Sequence, residues 1–301
     1  MYYRSLNEEL REKFGEKLYK LALDGGFTCP NRDGTIGSRG CTFCLGGSGS
    51  FAEGKCASVS EQIERAKRRV EKKNPSGKYI AYFQSYTNTY APVKRLEALF
   101  GEAIAHPDIA ALSVGTRPDC LPPEVLELLA RLNKIKPVWV ELGLQTIHEQ
   151  TAEKIRRGYD LSVFDKAVKD CKAAGLYTVV HMIIGLPCET PEMAAQTADY
   201  IGKSGADGIK LQLLHVLRGT DMAEQYAAGE FEVMSMEEYI SALEECVRRL
   251  PPQMTVHRLT GDGDKKYLIA PLWSADKKRV LNAVNGAFRR DNVVQGEHYE
   301  V

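Results

Sequence analysis

The chain carries no excess of charge of either sign. Forty Lys and Arg face forty Asp and Glu in 301 residues, so the formal net charge at pH 7 is zero. That excludes a surface that is basic throughout, though not a local basic patch. Long apolar runs are missing as well: no stretch reaches the roughly 18 residues that a membrane-spanning helix needs, so no membrane partner is expected. The first residues, MYYRSLNEELREKFGEK, are charged from Arg4 onward and hold no apolar core. They do not form a secretory signal, and the expected location is the cytoplasm. There is no low-complexity segment, no internal repeat and no evident linker. What is present is a globular composition, 44% hydrophobic and 27% charged, in a chain long enough for one large core. Eight cysteines in such a chain read as metal ligands, catalytic thiols or buried small side chains, not as disulfides.

Short β-rich runs alternate with longer amphipathic ones. Strands are expected near Leu18–Leu23, Tyr79–Gln84, Ile109–Gly115, Val138–Leu144, Thr178–Ile184 and Ile209–Leu214, with a seventh candidate at Thr255–Leu259. Helices are expected at Ser60–Lys73, Val93–Ala105, Pro123–Ile135, Ser162–Ala174, Pro191–Lys203 and Met236–Leu250. Pro123 and Pro191 suit first helical turns, and Ser235 with Glu238 reads as a capping box. The spacing suits repeated βα units with right-handed crossovers, hence an α/β parallel barrel or partial barrel of six units. The helix and strand after Met236 are expected to form a C-terminal extension covering one side of its mouth.

Strands buried on both faces usually read as unbroken apolar runs. Several here do not. Glu141, Gly143 and Gln145 share one face of VWVELGLQ, as do Lys210 and Gln212 in IKLQLL. His181 aligns with Gly185, and Ser113 with Gly115 and Arg117. One face therefore packs on helices, while the other is polar and small. In a barrel that second face is the interior, which predicts a ligand cavity instead of a packed core.

Directly after the first strand comes LALDGGFTCPNRDGTIGSRGCTFCLGGSGSF. Eleven residues separate Cys29 from Cys41, and two separate Cys41 from Cys44. Three thiolates can hold three irons of a [4Fe–4S] cluster and leave the fourth iron open. Eight glycines between Gly25 and Gly49 let the backbone aim N–H groups at an anionic cluster. Cys56, with eleven residues between it and Cys44, also completes a four-thiolate zinc set on spacing alone, so a zinc-binding adaptor without enzymatic activity stays open at this point.

The segment resembles the radical S-adenosylmethionine (SAM) superfamily, in which three cysteines bind the cluster and SAM chelates the open iron. The usual spacing is C-x-x-x-C-x-x-C, and the first interval here is longer. That departure is similar to the Elongator catalytic subunit and to small bacterial Elongator-like radical SAM proteins of the YhcC/YtqA type. The likeness runs through CPNRDGT (Cys29–Thr35), CTFC (Cys41–Cys44), YFQSYTNTYA (Tyr82–Ala91), VGTRPDCLP (Val114–Pro122), ELGLQT (Glu141–Thr146), RRGYD (Arg156–Asp160), IIGLP (Ile183–Pro187), DGIKLQLLHVLRGT (Asp207–Thr220) and APLW (Ala270–Trp273). The implied fold is a single domain, 1–301. A partial (β/α)6 TIM-like barrel of the radical SAM type spans 17–235, with its cluster loop at 24–54 and an extension over 236–301.

The resemblance implies a [4Fe–4S] cluster on Cys29, Cys41 and Cys44, with SAM as the second cofactor. An electron from a donor such as flavodoxin or ferredoxin splits SAM to methionine and a 5′-deoxyadenosyl radical, which abstracts hydrogen from substrate. Phe43 matches an aromatic position bordering the adenine, or packs under the loop. Gln84 and Ser85 follow the second strand, where relatives hold the SAM amino group, although no Gly-Gly-Glu is present. Thr116 and Arg117 contact SAM, unless Arg117 and Asp119 form only a structural pair. Glu141 and Gln145 point inward toward ribose or amine. Arg157 either forks onto the SAM carboxylate or is an ordinary helix arginine. His181 lies near adenine or substrate, or is a satisfied core residue, and the Gly185–Pro187 turn resembles backbone flanking adenine. Cys171 and Cys246 read as buried hydrophobes. Cys120 has a candidate role as hydrogen donor, and Cys188 has no assigned one.

The length leaves no room for an acetyltransferase domain after Thr255. Arg65–Lys73 holds six basic residues against one acidic, and Arg258–Arg290 holds eight against Asp262, Asp264 and Asp276. By charge alone these are a solvated helix face and a tail. The resemblance points instead to tRNA as the substrate. The implied reaction is conversion of a carboxymethylaminomethyl side chain on wobble uridine to aminomethyl. A small metabolite or peptide is the alternative substrate.

Overall fold

Seven parallel strands form one sheet in the computed structural model, which describes residues 2–46, 52, 58–74, 77–261 and 263–300. They are β1 (Tyr19–Leu23), β2 (Tyr79–Phe83), β3 (Ile109–Thr116), β4 (Val138–Gln145), β5 (Tyr177–Ile184), β6 (Gly208–Leu213) and β8 (Thr255–Arg258), in that spatial order. The short β7 (Val216–Leu217) pairs antiparallel with β9 (Leu268–Ala270) in a separate ribbon. The helices are α1 (Leu6–Phe14), α2 (Val59–Val70), α3 (Val93–Ala105), α4 (Pro123–Asn133), α5 (Glu149–Lys154), α6 (Leu161–Ala173), α7 (Pro191–Lys203), α8 (Asp221–Ala227), α9 (Met236–Arg248) and α10 (Lys277–Arg290). The sheet curls so far that Lys20 of β1 reaches Glu141 of β4 across the interior, 2.5 Å away. This is the expected partial barrel with one strand more than the six units. The extension departs from expectation: β8 pairs with β6 in parallel, Gly208 opposite Thr255, instead of lying over the mouth. The reason is that α9 packs beside α7 and behaves as one more crossover helix.

Local chemistry sets the element ends. Ser235 and Glu238 form the capping box of α9, and Ser5 with Glu8 form one on α1, each worth about 1 kcal/mol. Thr190 caps α7, with Pro191 in its first turn. The outward strand face and the helices share the main core, in which Phe83 meets Phe100 edge-on with centroids 5.1 Å apart.

The interior is layered. Leu18, Ile80, Ala111 and Trp139, at the N-terminal ends of four strands, pack with Leu10 of α1 into a separate apolar cluster. This floor corrects the expectation that the interior is a cavity throughout. Above it the inward positions turn charged, and above those, toward the strand C-termini, they turn small and polar. The segment Arg4–Ser5 runs along the free edge of β8, where the Val256 N–H donates to the Arg4 carbonyl at 2.8 Å, so that edge is covered.

Candidate active site

The loop after β1 is fastened at both ends. Asp24 exchanges two 2.8 Å hydrogen bonds with the Gln62 side chain of α2. Arg95 donates to the carbonyls of Gly25 and Gly26 while covering the Phe27 ring. Further on, the Gly40 N–H donates to the Asn31 carbonyl at 2.7 Å, and the Cys44 N–H donates to the Cys41 carbonyl at 3.0 Å. Gly40 adopts φ +76°, and a Cβ there would lie 2.7 Å from the Arg32 guanidinium, so this turn requires glycine. The RRGYD segment closes the far side: Arg156 donates to the Gly40 carbonyl at 2.9 Å, and the Asn31 amide donates to the Arg156 carbonyl at 2.6 Å. These bonds hold the half-buried Cys29, Cys41 and Cys44 at the C-terminal edge of the sheet, where barrel active sites form.

The three thiols line a cavity of about 190 Å³. Of the residues expected at the site, Phe43, Gln84, Thr116, Arg117, Glu141, Gln145, Arg157 and His181 line it too. Ser85 and Gly185 do not. Ser85 is fully buried outside the lining, and Gly185 makes a left-handed turn against Met234 and Leu214. The Arg157 guanidinium is committed elsewhere, to the carbonyls of Thr146 and Tyr159 and to both oxygens of Glu149. Arg117 forms a two-point pair with Asp119 at 2.9 and 2.8 Å and donates to the Arg157 carbonyl. Cys120 is buried beside Asp119 and lines a separate groove, and burial pushes its thiol up to about 12. Cys188 is exposed, 3.1 Å from the Lys154 ammonium. Cys171 and Cys246 are buried. Cys56 lies outside the described residues.

Gln145 ends β4 with φ +71°, where the register with β5 shifts. Its Oε1 is buried and has no hydrogen-bond partner among the described residues.

An ionic cluster centred on Glu141 forms part of the wall of the cysteine cavity. Its carboxylate accepts from Lys20 at 2.5 Å, Ser113 at 2.6 Å, His181 at 2.7 Å and also from Lys210. The two ammoniums hold Glu141 well below the usual carboxylate range despite its burial. Burial pushes Lys210 down to about 7 and His181 down to about 4. A neutral His181 donates from Nε2 to Glu141 and presents Nδ1 to the Gln212 amide, 3.4 Å away. Lys20 is hard to find from sequence because YKLAL looks apolar, and its inward position shows only through the strand's period of two. Lys210 is legible as a residue of the polar face, but not its role.

The donor set fits an iron–sulfur cluster. A single zinc with bonds of about 2.3 Å would hold its sulfurs roughly 3.8 Å apart. Among the described residues, the only three His, Cys, Asp or Glu donor atoms lying within 4.8 Å of one another belong to Glu64, His106 and Asp108, so the thiols stand wider. Lys67 already bridges Glu64 and Asp108, at 2.7 and 2.5 Å. Burial and the neighbouring thiols push Cys41 up to about 11, while Arg117 opposes the rise. Loading metal therefore releases protons.

Comparisons with known proteins bear on the family and the fold. A model of the radical SAM superfamily matches residues 33–201, and one of the radical SAM C-terminal domain matches 206–290. The chain is 44% identical to YtqA of Bacillus subtilis (strain 168) over 299 residues, 99% of this chain and 93% of that one. To YhcC of Escherichia coli (strain K12) it is 39% identical, covering 89% and 86%. A tRNA uridine(34) acetyltransferase of Methanocaldococcus jannaschii is 29% identical over 50% of this chain and 28% of its own length. Among solved structures, archaeal Methanocaldococcus infernus Elp3 lacking its N-terminus superposes with a TM-score of 0.71 at 18% identity, over 92% of this chain and 64% of that one. That last likeness is one of fold.

Proposed function

The chain belongs to the radical SAM superfamily, and from that premise we propose that it converts a carboxymethylaminomethyl side chain on tRNA wobble uridine to aminomethyl. As a radical SAM enzyme its cofactors are a [4Fe–4S] cluster and SAM, which supply, when bound, reductive cleavage of a sulfonium and radical hydrogen abstraction. Cys29, Cys41 and Cys44 would hold the cluster, with Arg32 and Arg117 offsetting their charge. Phe43, Gln84, Thr116, Gln145 and His181 line the same cavity and are the proposed SAM contacts. The apolar floor closes the N-terminal end of the lumen beneath these residues. A one-electron reductant is required, and a flavodoxin or ferredoxin suits that role.

The substrate half of the reading rests above all on the relative named for tRNA uridine 34, which is 29% identical over half of this chain. A polar lumen supports it, because modifying enzymes must take a base out of its stack. Protein purified without oxygen should carry about four irons per chain. Cys29→Ala, Cys41→Ala and Cys44→Ala should each lose the iron, while Cys56→Ala retains it; an iron assay decides. Mass spectrometry of wobble nucleosides tests the substrate. Cells lacking the gene should accumulate carboxymethylaminomethyluridine and lose aminomethyluridine, and an unchanged profile overturns the assignment.

A further inference from the structure

Beside the cysteine cavity, toward β5 and β6, the lumen widens into a second compartment of about 350 Å³ that runs from Lys210 up to the segment after β6, and the two share Phe43, Tyr82, Gln84, Gln145 and His181. This second compartment is walled by Lys210, Gln212, His215 and Arg258, and no Asp or Glu lines it among the described residues. Lys210 and Arg258 also line a side opening beside β1, together with Lys20 and Arg69. The Lys210 ammonium has three N–H donors and two hydrogen-bond partners, Glu141 and, at 3.2 Å, the Tyr82 hydroxyl. Lys20 has one, Glu141. Both ammoniums lie against the Tyr82 ring, 4.6 and 4.8 Å from its centroid. Two lysines thus share a single carboxylate, beside a histidine that donates as a neutral ring. With Arg258 beside them, the groups around this compartment are richer in cations than in carboxylates, which favours an entering anion.

We propose that this second compartment receives a carboxylate carried by the substrate, with Lys210 as the residue that selects for it; the inference rests on the reading of the protein as a base-modifying radical SAM enzyme. An extruded base leaves its phosphates at the rim of a barrel, so the group that reaches deepest is whatever hangs from the base. A carboxylate held at Lys210 would keep the adjoining C–H bonds between that anchor and the cysteine cavity. Burial has already pushed Lys210 toward neutrality, and an arriving anion restores its proton.

The test uses anaerobically reconstituted protein with SAM. Its thermal midpoint is measured with N-ethylglycine, which carries the carboxymethylamino group, with N-ethylglycinamide, and with inorganic phosphate. N-Ethylglycine should raise the midpoint, and the amide and phosphate should not. The rise should vanish in Lys210→Met and persist in part in Lys210→Arg. Anticodon stem-loops should then bind at least tenfold tighter with carboxymethylaminomethyluridine than with its amide, and Lys210→Met should erase that preference. An amide that acts like the acid in the wild-type protein overturns the proposal without any variant having to fold. Equal protection by phosphate overturns it in favour of a backbone contact. If N-ethylglycine binds through Lys210 while the stem-loop is never modified, the carboxylate site stands and the tRNA reading falls.

Discussion

Glu141 is the residue on which the interior depends. Four side chains donate to its buried carboxylate, two of them lysines. Glu141→Gln keeps the shape and removes the charge, leaving Lys20 and Lys210 uncompensated. A destabilisation of about 3–5 kcal/mol at pH 7 is expected, measured by urea unfolding. The pH dependence gives a second signature. A lysine whose folded pKa lies below its unfolded value of 10.5 makes the unfolded chain bind more protons between the two. The variant should therefore recover stability as pH rises from about 7 toward 10. The wild-type protein shares this rise, because its own Lys210 is already lowered, but less steeply while Glu141 supports the ammoniums, and it has an acid limb as well. Glu141 titrates well below 4.5, so its contribution is present above that value and is lost as pH falls through the lower folded one. A deficit that stays flat from pH 7 to 10 would mean the lysines are not what Glu141 compensates.

At the scale of elements, the fold is legible in the sequence wherever periodicity is strong. The six helices expected between β1 and β8 all form, and every expected strand forms within a residue or two. The cysteine loop is legible from thiol spacing and glycines. What stays hidden has a weaker local signal or a long-range cause. Helix α10 reads as a basic tail because its charges dominate, yet Val280, Val284, Ala287 and Phe288 mark a buried stripe at helical spacing. Helix α1 lies in a segment whose charges draw attention only to targeting signals. The floor it helps to build depends on Leu10 meeting Leu18 and Trp139. The placement of β8 follows from α9 packing on α7, a pairing that no window of sequence contains. The ionic cluster is similar: Glu141 is recognisable as inward, but which cations meet it is decided by the curl of the sheet.

At the scale of the whole molecule, zero net charge conceals an uneven distribution. On α2 and the turn after it, Arg65 pairs with Glu61, and Lys67 with Glu64 and Asp108. Arg68, Arg69, Lys72 and Lys73 stay exposed, and Arg69 reaches the side opening of the barrel. If tRNA lies along this side, replacing Arg68, Lys72 and Lys73 together by Glu should weaken its binding. The slope of log affinity against log salt should become shallower by about 0.7–0.9 for each phosphate that is no longer neutralised. Filter binding across a salt series measures it, and an unaltered slope moves the RNA to another face. The fold's overall stability also meets a local claim on it at Gln145. A left-handed non-glycine residue at a strand end costs on the order of 1 kcal/mol, and an unbonded buried amide oxygen adds to that. A screen that selects for heat resistance alone would favour glycine there and would leave the rest of the scaffold untouched. It would also discard a polar side chain that lines the cavity the thiols share. At this position, breeding for durability and breeding for use select opposite residues.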